Sequence, residues 1–360
     1  MKKDKAMEKK VTSKNERDLI AFLRAEKETL SPLLILTHDF PDPDALAGAW
    51  ALQYVADRVC GIRSRIVYRG VIGRAENRNM VSLLGLPVHR LRPGELKRSS
   101  RVALIDTQPE FENNPFPDKG NAAIVIDQHQ SVTRPSADFA IIDTKCGATS
   151  IIMARALLSI RDGIPEKLAT ALAYGIISDT LNLYRTGRRD IMSTYLKILP
   201  YADMHILARI QTPVHERAFF MTLQRAISCA RLTQGLMVCH LSQVSSPDVT
   251  SQTADFLLSY KGAQWVLTTG RYRNRLHVSL RSKNMNFNAG RVLRLCFDKP
   301  EDAGGHDNVG GGSMRIAGPG KQKWRVAENT ITERVMQQLN LKKGPFPFPF
   351  SSPVQRGCCD

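Results

Sequence analysis

The chain has 360 residues, 42% hydrophobic and 24% charged, enough for two domains with their own cores and ordinary for a globular protein. Its 51 Lys and Arg outnumber 34 Asp and Glu for a net charge of +17, a field that favours anionic partners such as nucleotides or nucleic acid. No apolar run reaches the roughly 18 residues that cross a bilayer, and no apolar core follows the basic N-terminus, so the expectation is a cytoplasmic protein with no membrane role.

Residues 1–30 are expected to be a basic lead-in, flexible or helical. The runs LLILT (33–37), RIVYR (65–69), VALID (102–106) and AAIVID (122–127) are almost wholly apolar, as strands buried on both faces are. Between the first two lies the helical pattern DALAGAWALQYVADRV; TSIIMARALLSI and KLATALAYGIISDTLNLY follow the fourth. This alternation predicts an α/β domain over 31–212, with a mostly parallel sheet and helices on both faces. A connecting helix is expected over 213–230. A smaller α/β domain follows over 231–342, with strands in LMVCHL, WVLTTGRYR and RLHVSLRS, and an active-site cleft is expected between the two domains. The Pro- and Phe-rich tail, 343–360, is expected to be extended and docked, if at all, through its phenylalanines. The seven cysteines make no C-x-x-C pair and suit isolated core thiols; Cys358 and Cys359 lack the spacing of a prenylation box.

Ligands of open parallel sheets bind beyond the carboxyl ends of the strands. The first strand runs into His38, Asp42 and Asp44, the third ends on Asp106, and the fourth ends on Asp127, Gln128 and His129. Asp179 follows an apolar stretch of a helix. Singly, each has an ordinary reading: Asp44 as a helix N-cap, Asp106 as a strand-to-turn carboxylate, Asp179 as a partner of Arg185. Together, carboxylates and imidazoles crowded at one sheet edge point to a divalent cation of the Mn²⁺, Mg²⁺ or Zn²⁺ type. Arg74 and Asn77, in the basic stretch YRGVIGRAENRNM (68–80), are candidates for phosphate contacts, with a solvated loop as the alternative.

In order, these motifs are His-x-x-x-Asp-x-Asp-Ala, Asp-Thr, Asp-x-His and Gly-x-x-x-Asp-Thr, then VSLRS (278–282), NAG (288–290) and GGHDNVGGG (304–312). The set resembles the DHH phosphoesterase superfamily with its associated C-terminal domain, over roughly residues 30 to 320, and within it the branch acting on short oligonucleotides. The resemblance implies a two-metal phosphoesterase, with Mn²⁺ the expected ion and Mg²⁺ the alternative. His38 and Asp42 would hold one ion, Asp44 and Asp179 the other, and Asp106 would bridge them. His129 matches the second His of the signature triplet, which contacts the substrate phosphate. Gln128 stands where the first His, a ligand of the second ion, is expected, and an amide is a poorer ligand than imidazole. In the C-terminal domain, Arg281, Ser282, Gly305, His306, Gly310 and Gly311 are the implied substrate contacts, with a flexible turn as the alternative for the glycine-rich loop.

The expected substrates are short oligoribonucleotides, dinucleotides such as pApA or c-di-AMP, or 3′-phosphoadenosine 5′-phosphate. A catalytically weak nucleotide-binding sensor or scaffold is the second reading, motivated by Gln128. A single-strand exonuclease is the third, disfavoured because no room remains for a further nucleic-acid-binding domain. An inorganic pyrophosphatase is disfavoured by the glycine-rich C-terminal motifs. A homodimer is compatible with the sequence.

Overall fold

The computed structural model describes residues 16–117, 119–131, 133–160, 163–184, 188–316 and 320–350. Residues 1–15, Arg185 and the Cys358–Cys359 pair lie outside these ranges. The chain divides into two compact units, one comprising residues up to Ile72 and Glu76–Pro213, the other Gly73–Ala75 and the chain from Val214 onward.

The first unit is built on six parallel strands, β1 (Leu33–Thr37), β2 (Ser64–Tyr68), β3 (Val88–Arg90), β4 (Val102–Ile105), β5 (Ala122–Asp127) and β6 (Ala137–Ile142). Their order in the sheet is β3-β2-β1-β4-β5-β6, so the winding reverses between β1 and β4. Such a switch point opens a crevice at the carboxyl ends of the strands. β1, β4 and β5 are buried along their whole length. Their side chains alternate between two cores: Leu33, Ile35 and Ile105 enter the larger, Leu34, Leu36 and Leu104 the smaller.

The helices of this unit are α1 (Glu16–Ala25), α2 (Lys27–Leu30), α3 (Pro43–Tyr54), α4 (Ala75–Leu84), α5 (Glu95–Arg98), α6 (Thr149–Leu158), α7 (Glu166–Asp179), α8 (Arg189–Ile198) and α9 (Met204–Gln211). They are shared unequally between the two faces. Apolar residues of α1, α3, α4, α6, α7, α8 and α9 line the larger core, whereas the smaller is closed by Leu96 of α5 and by Phe116 in the β4–β5 connection. Within the lead-in, residues 16–25 and 27–30 are helical, and Leu19, Leu23 and Leu30 are fully buried, an apolar face that surrounding Lys, Arg and Glu had obscured.

α3 starts where Asp42 accepts a hydrogen bond from Ala45 N (3.0 Å) and Pro43 fills the first turn. A Cβ on Gly48 would stand 3.1 Å from Ile105 Cγ2, so this small-residue helix lies close on β4. A Cβ on Gly175 of α7 would meet Ser150 Oγ at 2.5 Å and Pro43 O at 3.1 Å, so α7 crosses tightly over the start of α3. Asp179 is four residues further along α7 and shares that face. A backbone with positive φ at Leu181, Asn182 and Leu183 then ends the helix run.

The second unit holds a six-stranded sheet of β7 (Arg231–Thr233), β8 (Leu236–Gln243), β9 (Trp265–Tyr272), β10 (Arg275–Ser282), β11 (Ala303–His306) and β12 (Val309–Arg315), ordered β11-β12-β10-β9-β8-β7. Only β8 and β9 pair in parallel; the other neighbours are antiparallel. α12 (Ala289–Cys296) and α13 (Lys321–Gln338) enclose one core cluster, and α10 (Arg217–Cys229) and α11 (Asp248–Leu258) the other. The described part of the tail docks on this unit: Leu232 N donates to Pro347 O (3.0 Å), and Phe350 packs edge-on to Tyr260. No helix among the described residues is long and apolar enough to cross a membrane.

Candidate metal and phosphate site

Three strand ends and one helix end converge at the switch point of the first unit. After β1, His38 Nδ1 lies 2.8 Å from Asp39 O. A carbonyl only accepts, so Nδ1 is the donor and Nε2 is the ring nitrogen turned to the site. Nε2 faces Asp106 Oδ2 at 3.5 Å and Asp42 Oδ1 at 3.8 Å. Both distances exceed a good hydrogen bond, and the three ligand atoms lie within 4.8 Å of one another. An imidazole and two carboxylates facing inward repel unless a cation sits among them, and they are a fitting donor set for Mn²⁺, Mg²⁺ or Zn²⁺. In the metal-free chain a proton partly fills that role. Burial works against it, yet the Asp106 and Asp42 carboxylates raise His38 well above its ordinary value. Burial likewise pushes Asp42 upward, but the facing His38 ring and its charge hold it at about 2.

Asp106 follows β4 with φ of 58°, a left-handed conformation that Asp tolerates better than most residues. It is 2% exposed, and its Oδ1 accepts from Thr149 Oγ1 at 2.8 Å. Burial raises its carboxyl, and the positive partners His38 and His129 only partly offset that.

The remaining carboxylates are engaged differently. Asp44, fully buried, is not the cap of its own helix, a role Asp42 fills. Its two oxygens accept from Thr149 N (2.6 Å) and Ser150 N (2.7 Å), so it caps α6 from across the fold. Burial, then Asp106 and Asp179, raise it well above the usual carboxylate range. Asp179 is pushed up to about 7 by burial and by Asp42 and Asp106. Gln128 Nε2 donates to Asp179 Oδ2, since the opposite amide orientation would set oxygen against oxygen. Where an imidazole ligand is expected, the chain presents an N–H.

His129 Nδ1 donates to Asp127 Oδ1 at 2.8 Å, leaving Nε2 as its second polar edge, with the side chain 39% exposed. Asp127 also accepts from Gln128 N (2.7 Å) and from Gln108 Nε2 (2.7 Å), which bonds His129 O as well (2.8 Å). Asp106, Asp127 and His129 lie close enough to hold an ion. Yet Asp127 already has a donor on each oxygen, so this trio is an orienting hydrogen-bond chain. Burial disfavours the His129 cation, but Asp127, Asp106 and Asp179 raise it to about 10. Sequence reasoning missed Gln108, fully buried two residues beyond Asp106, and Thr149; the only available signal was Gln108 directly after the Asp106-Thr107 pair.

In the second unit Arg281 is 6% exposed and fully engaged. Its Nε donates to Asp255 Oδ1 (2.5 Å), and its Nη1 to Ser279 Oγ (2.7 Å) and Gly310 O (3.2 Å). Ser282 is buried, accepting from Asn284 N at 3.0 Å. The glycine-rich segment is a β11–β12 hairpin rather than a loop, with Gly305 opposite Gly310 and His306 at the end of β11. Most of its glycines make room for the fold, not for a ligand. The Cα of Gly290 lies so close to Gly305 that a Cβ there would come within 2.2 Å of its carbonyl oxygen, and a Cβ on Gly310 would come within 2.8 Å of Ala289 O. Gly311 alone of the Gly310–Gly312 run opens onto free space. It lines a cavity of about 210 Å³ with Arg281, Ser279, His277 and Thr250. Arg74 lies in the short Gly73–Ala75 segment, and Asn77, in the first turn of α4, is buried.

No family model matches the chain. An exopolyphosphatase-related protein from Bacteroides fragilis has the same fold, with a TM-score of 0.64 at 15% identity, covering 89% of this chain and 97% of that one. An uncharacterized protein of Methanocaldococcus jannaschii is 30% identical over 343 residues, 93% of this chain and 70% of the relative. The chain thus shares its fold with the exopolyphosphatase-related protein and most of its length with an uncharacterized relative, in keeping with the resemblance of its motifs to the DHH superfamily. A probable manganese-dependent inorganic pyrophosphatase of Streptococcus pyogenes is 24% identical over 157 residues, 43% of this chain and half of its own length. The carboxyl ends of the parallel strands carry His38, Asp42, Asp106 and His129, with Gln128 beside them.

Proposed function

We propose that this protein is a divalent-metal-dependent phosphoesterase of the DHH type hydrolysing small nucleotide substrates: short oligoribonucleotides, dinucleotides or 3′-phosphoadenosine 5′-phosphate. The observation that carries the reading is His38 Nε2 turned toward Asp106 and Asp42 at 3.5 and 3.8 Å, a three-acceptor pocket for one cation. The donor set fits one ion there, with Mn²⁺ favoured because the similar pyrophosphatase is named as manganese-dependent. The donor set for a second ion fits poorly, because Asp44 is spent on α6 and Gln128 turns an N–H to Asp179. When bound, a divalent ion supplies Lewis acidity to a phosphoryl oxygen and to the attacking water.

The chain's own residues do the rest. Asp127 accepts the Nδ1–H hydrogen bond of His129, and the surrounding carboxylates keep the ring protonated, so Nε2 offers N–H to an anionic phosphoryl oxygen. Gln108 fixes Asp127 and the His129 backbone together. The cavity beside Arg281, about 210 Å³, has room for a phosphate or a base.

The test is purified protein with Mn²⁺ against pApA, short oligoribonucleotides, 3′-phosphoadenosine 5′-phosphate and pyrophosphate. Turnover of a nucleotide, lost on chelation, supports the reading. Hydrolysis of pyrophosphate alone would contradict it. Tight nucleotide binding with no turnover would favour the sensor reading, which the Gln128–Asp179 hydrogen bond motivates.

A further inference from the structure

Two of the cysteines are not isolated. Cys229, the last residue of α10, and Cys239, in β8, bring their sulfurs to 3.1 Å, closer than unbonded sulfurs ordinarily pack, while both are free thiols. The two differ in setting: Cys239 is fully buried, whereas Cys229 keeps solvent access. We propose that this pair is a reversible oxidative modification site whose co-reactant is a hydroperoxide.

Solvent access assigns different roles to the two sulfurs, Cys229 being partly exposed and Cys239 buried. The contact with Cys239, in which either thiol can donate, together with the backbone N–H of His240 and the charge of Arg231, holds the Cys229 thiol below its ordinary value despite partial burial. The same contact, together with burial, pushes Cys239 up. Cys229 is thus the sulfur that an oxidant can reach and Cys239 the buried thiol held against it. The Cys229 sulfur attacks the peroxide and breaks the O–O bond, becoming a sulfenic acid and releasing one alcohol, or one water when the oxidant is hydrogen peroxide. The Cys239 sulfur then displaces the sulfenic oxygen, which leaves as water with the thiol proton, and the S–S bond forms. Two thiols and one peroxide give one disulfide, with two electrons passing from sulfur to the O–O bond. The other described cysteines lack this arrangement. Cys60, Cys146 and Cys296 are buried, and burial raises each of their thiols.

The bridge would tie the end of α10 to β8 across the β7–β8 hairpin, closing a loop of the intervening chain within the second unit. A dithiol reductant would reopen it.

The test uses the full chain with Cys358 and Cys359 changed to Ser, exposed to stoichiometric hydrogen peroxide and then to an alkylating agent. The proposal expects a loss of two hydrogens in intact mass, a Cys229–Cys239 cross-linked peptide, its reversal by dithiothreitol, and a raised midpoint of thermal unfolding. Before oxidation, Cys229 should be alkylated at least about tenfold faster than Cys60, Cys146 or Cys296. In Cys239→Ser a dimedone adduct should accumulate on Cys229, while Cys229→Ser should leave Cys239 unmodified. The unsubstituted pair is informative even if a variant fails to fold. Should peroxide be consumed while both thiols remain alkylatable in folded protein, or should Cys239 oxidise in the absence of Cys229, the proposal is wrong.

Discussion

Both units bury charge against a sheet, and they handle it in opposite ways. In the second unit Arg271 and Glu328 meet as a bidentate pair at 2.9 and 2.8 Å, and Arg281 is bonded to Asp255, so opposite charges cancel inside the fold. In the first unit the buried Asp44, Asp106 and Asp179 crowd together with Asp42, and burial with carboxylate repulsion raises all three, only partly offset by His38 and His129. One unit neutralises its charge internally; the other keeps an unmet demand for positive charge at its switch point. A binding site for a cation is the physical meaning of that difference.

The sharpest way to break the contrast is Asp106→Asn, which tolerates the left-handed backbone at this position. It should cut hydrolysis by about 10³-fold or more, measured as kcat/KM with Mn²⁺. The same change should stabilise the metal-free protein by about 1 kcal/mol, because a repelling carboxylate is gone. The reverse is expected of the second unit. Glu328→Gln strips Arg271 of its counter-charge, and with Arg271 19% exposed the cost should be about 2–3 kcal/mol in denaturant unfolding.

The contrast also sets a pH dependence. Asp44, Asp106, Asp179 and His129 all have folded values raised above their unfolded ones, so each binds protons more tightly when folded. Their contribution is complete below the unfolded value and is lost as pH rises through the folded value. In chelator, the protein should therefore lose on the order of 2 kcal/mol as pH climbs from about 4 to 7, where Asp179 titrates. Saturating Mn²⁺ should flatten that slope, as read by thermal unfolding. The smallest expected effect is at Gln128→His, which replaces an N–H facing Asp179 with an imidazole and should tighten a second cation by about tenfold.

Much of this was legible from the sequence, for a physical reason. Strands buried on both faces are continuous apolar runs, so LLILT and AAIVID are found at the positions where β1 and β5 lie. Parallel pairing then brings the residues that follow them to one edge, which is why His38, Asp106 and His129 meet. β3 escaped because three residues with two exposed carry no pattern, and β6 because polar Asp138 interrupts it. Tertiary hydrogen bonds were equally silent. Asp44 caps a helix 105 residues away, and Gln108 braces Asp127 from 19 residues upstream. No local spacing encodes either partner. Equally silent was the close approach of α12 to the glycine-rich hairpin, where a Cβ on Gly310 would come within 2.8 Å of Ala289 O.

Mn²⁺ titration of the metal-free chain and of Asp106→Asn, followed by calorimetry, tests the central claim most directly. The account predicts one tight Mn²⁺ per chain, a second at least about tenfold weaker, and loss of the tight one in Asp106→Asn. Unchanged tight binding in that variant, or no Mn²⁺ binding by the native chain, would contradict it.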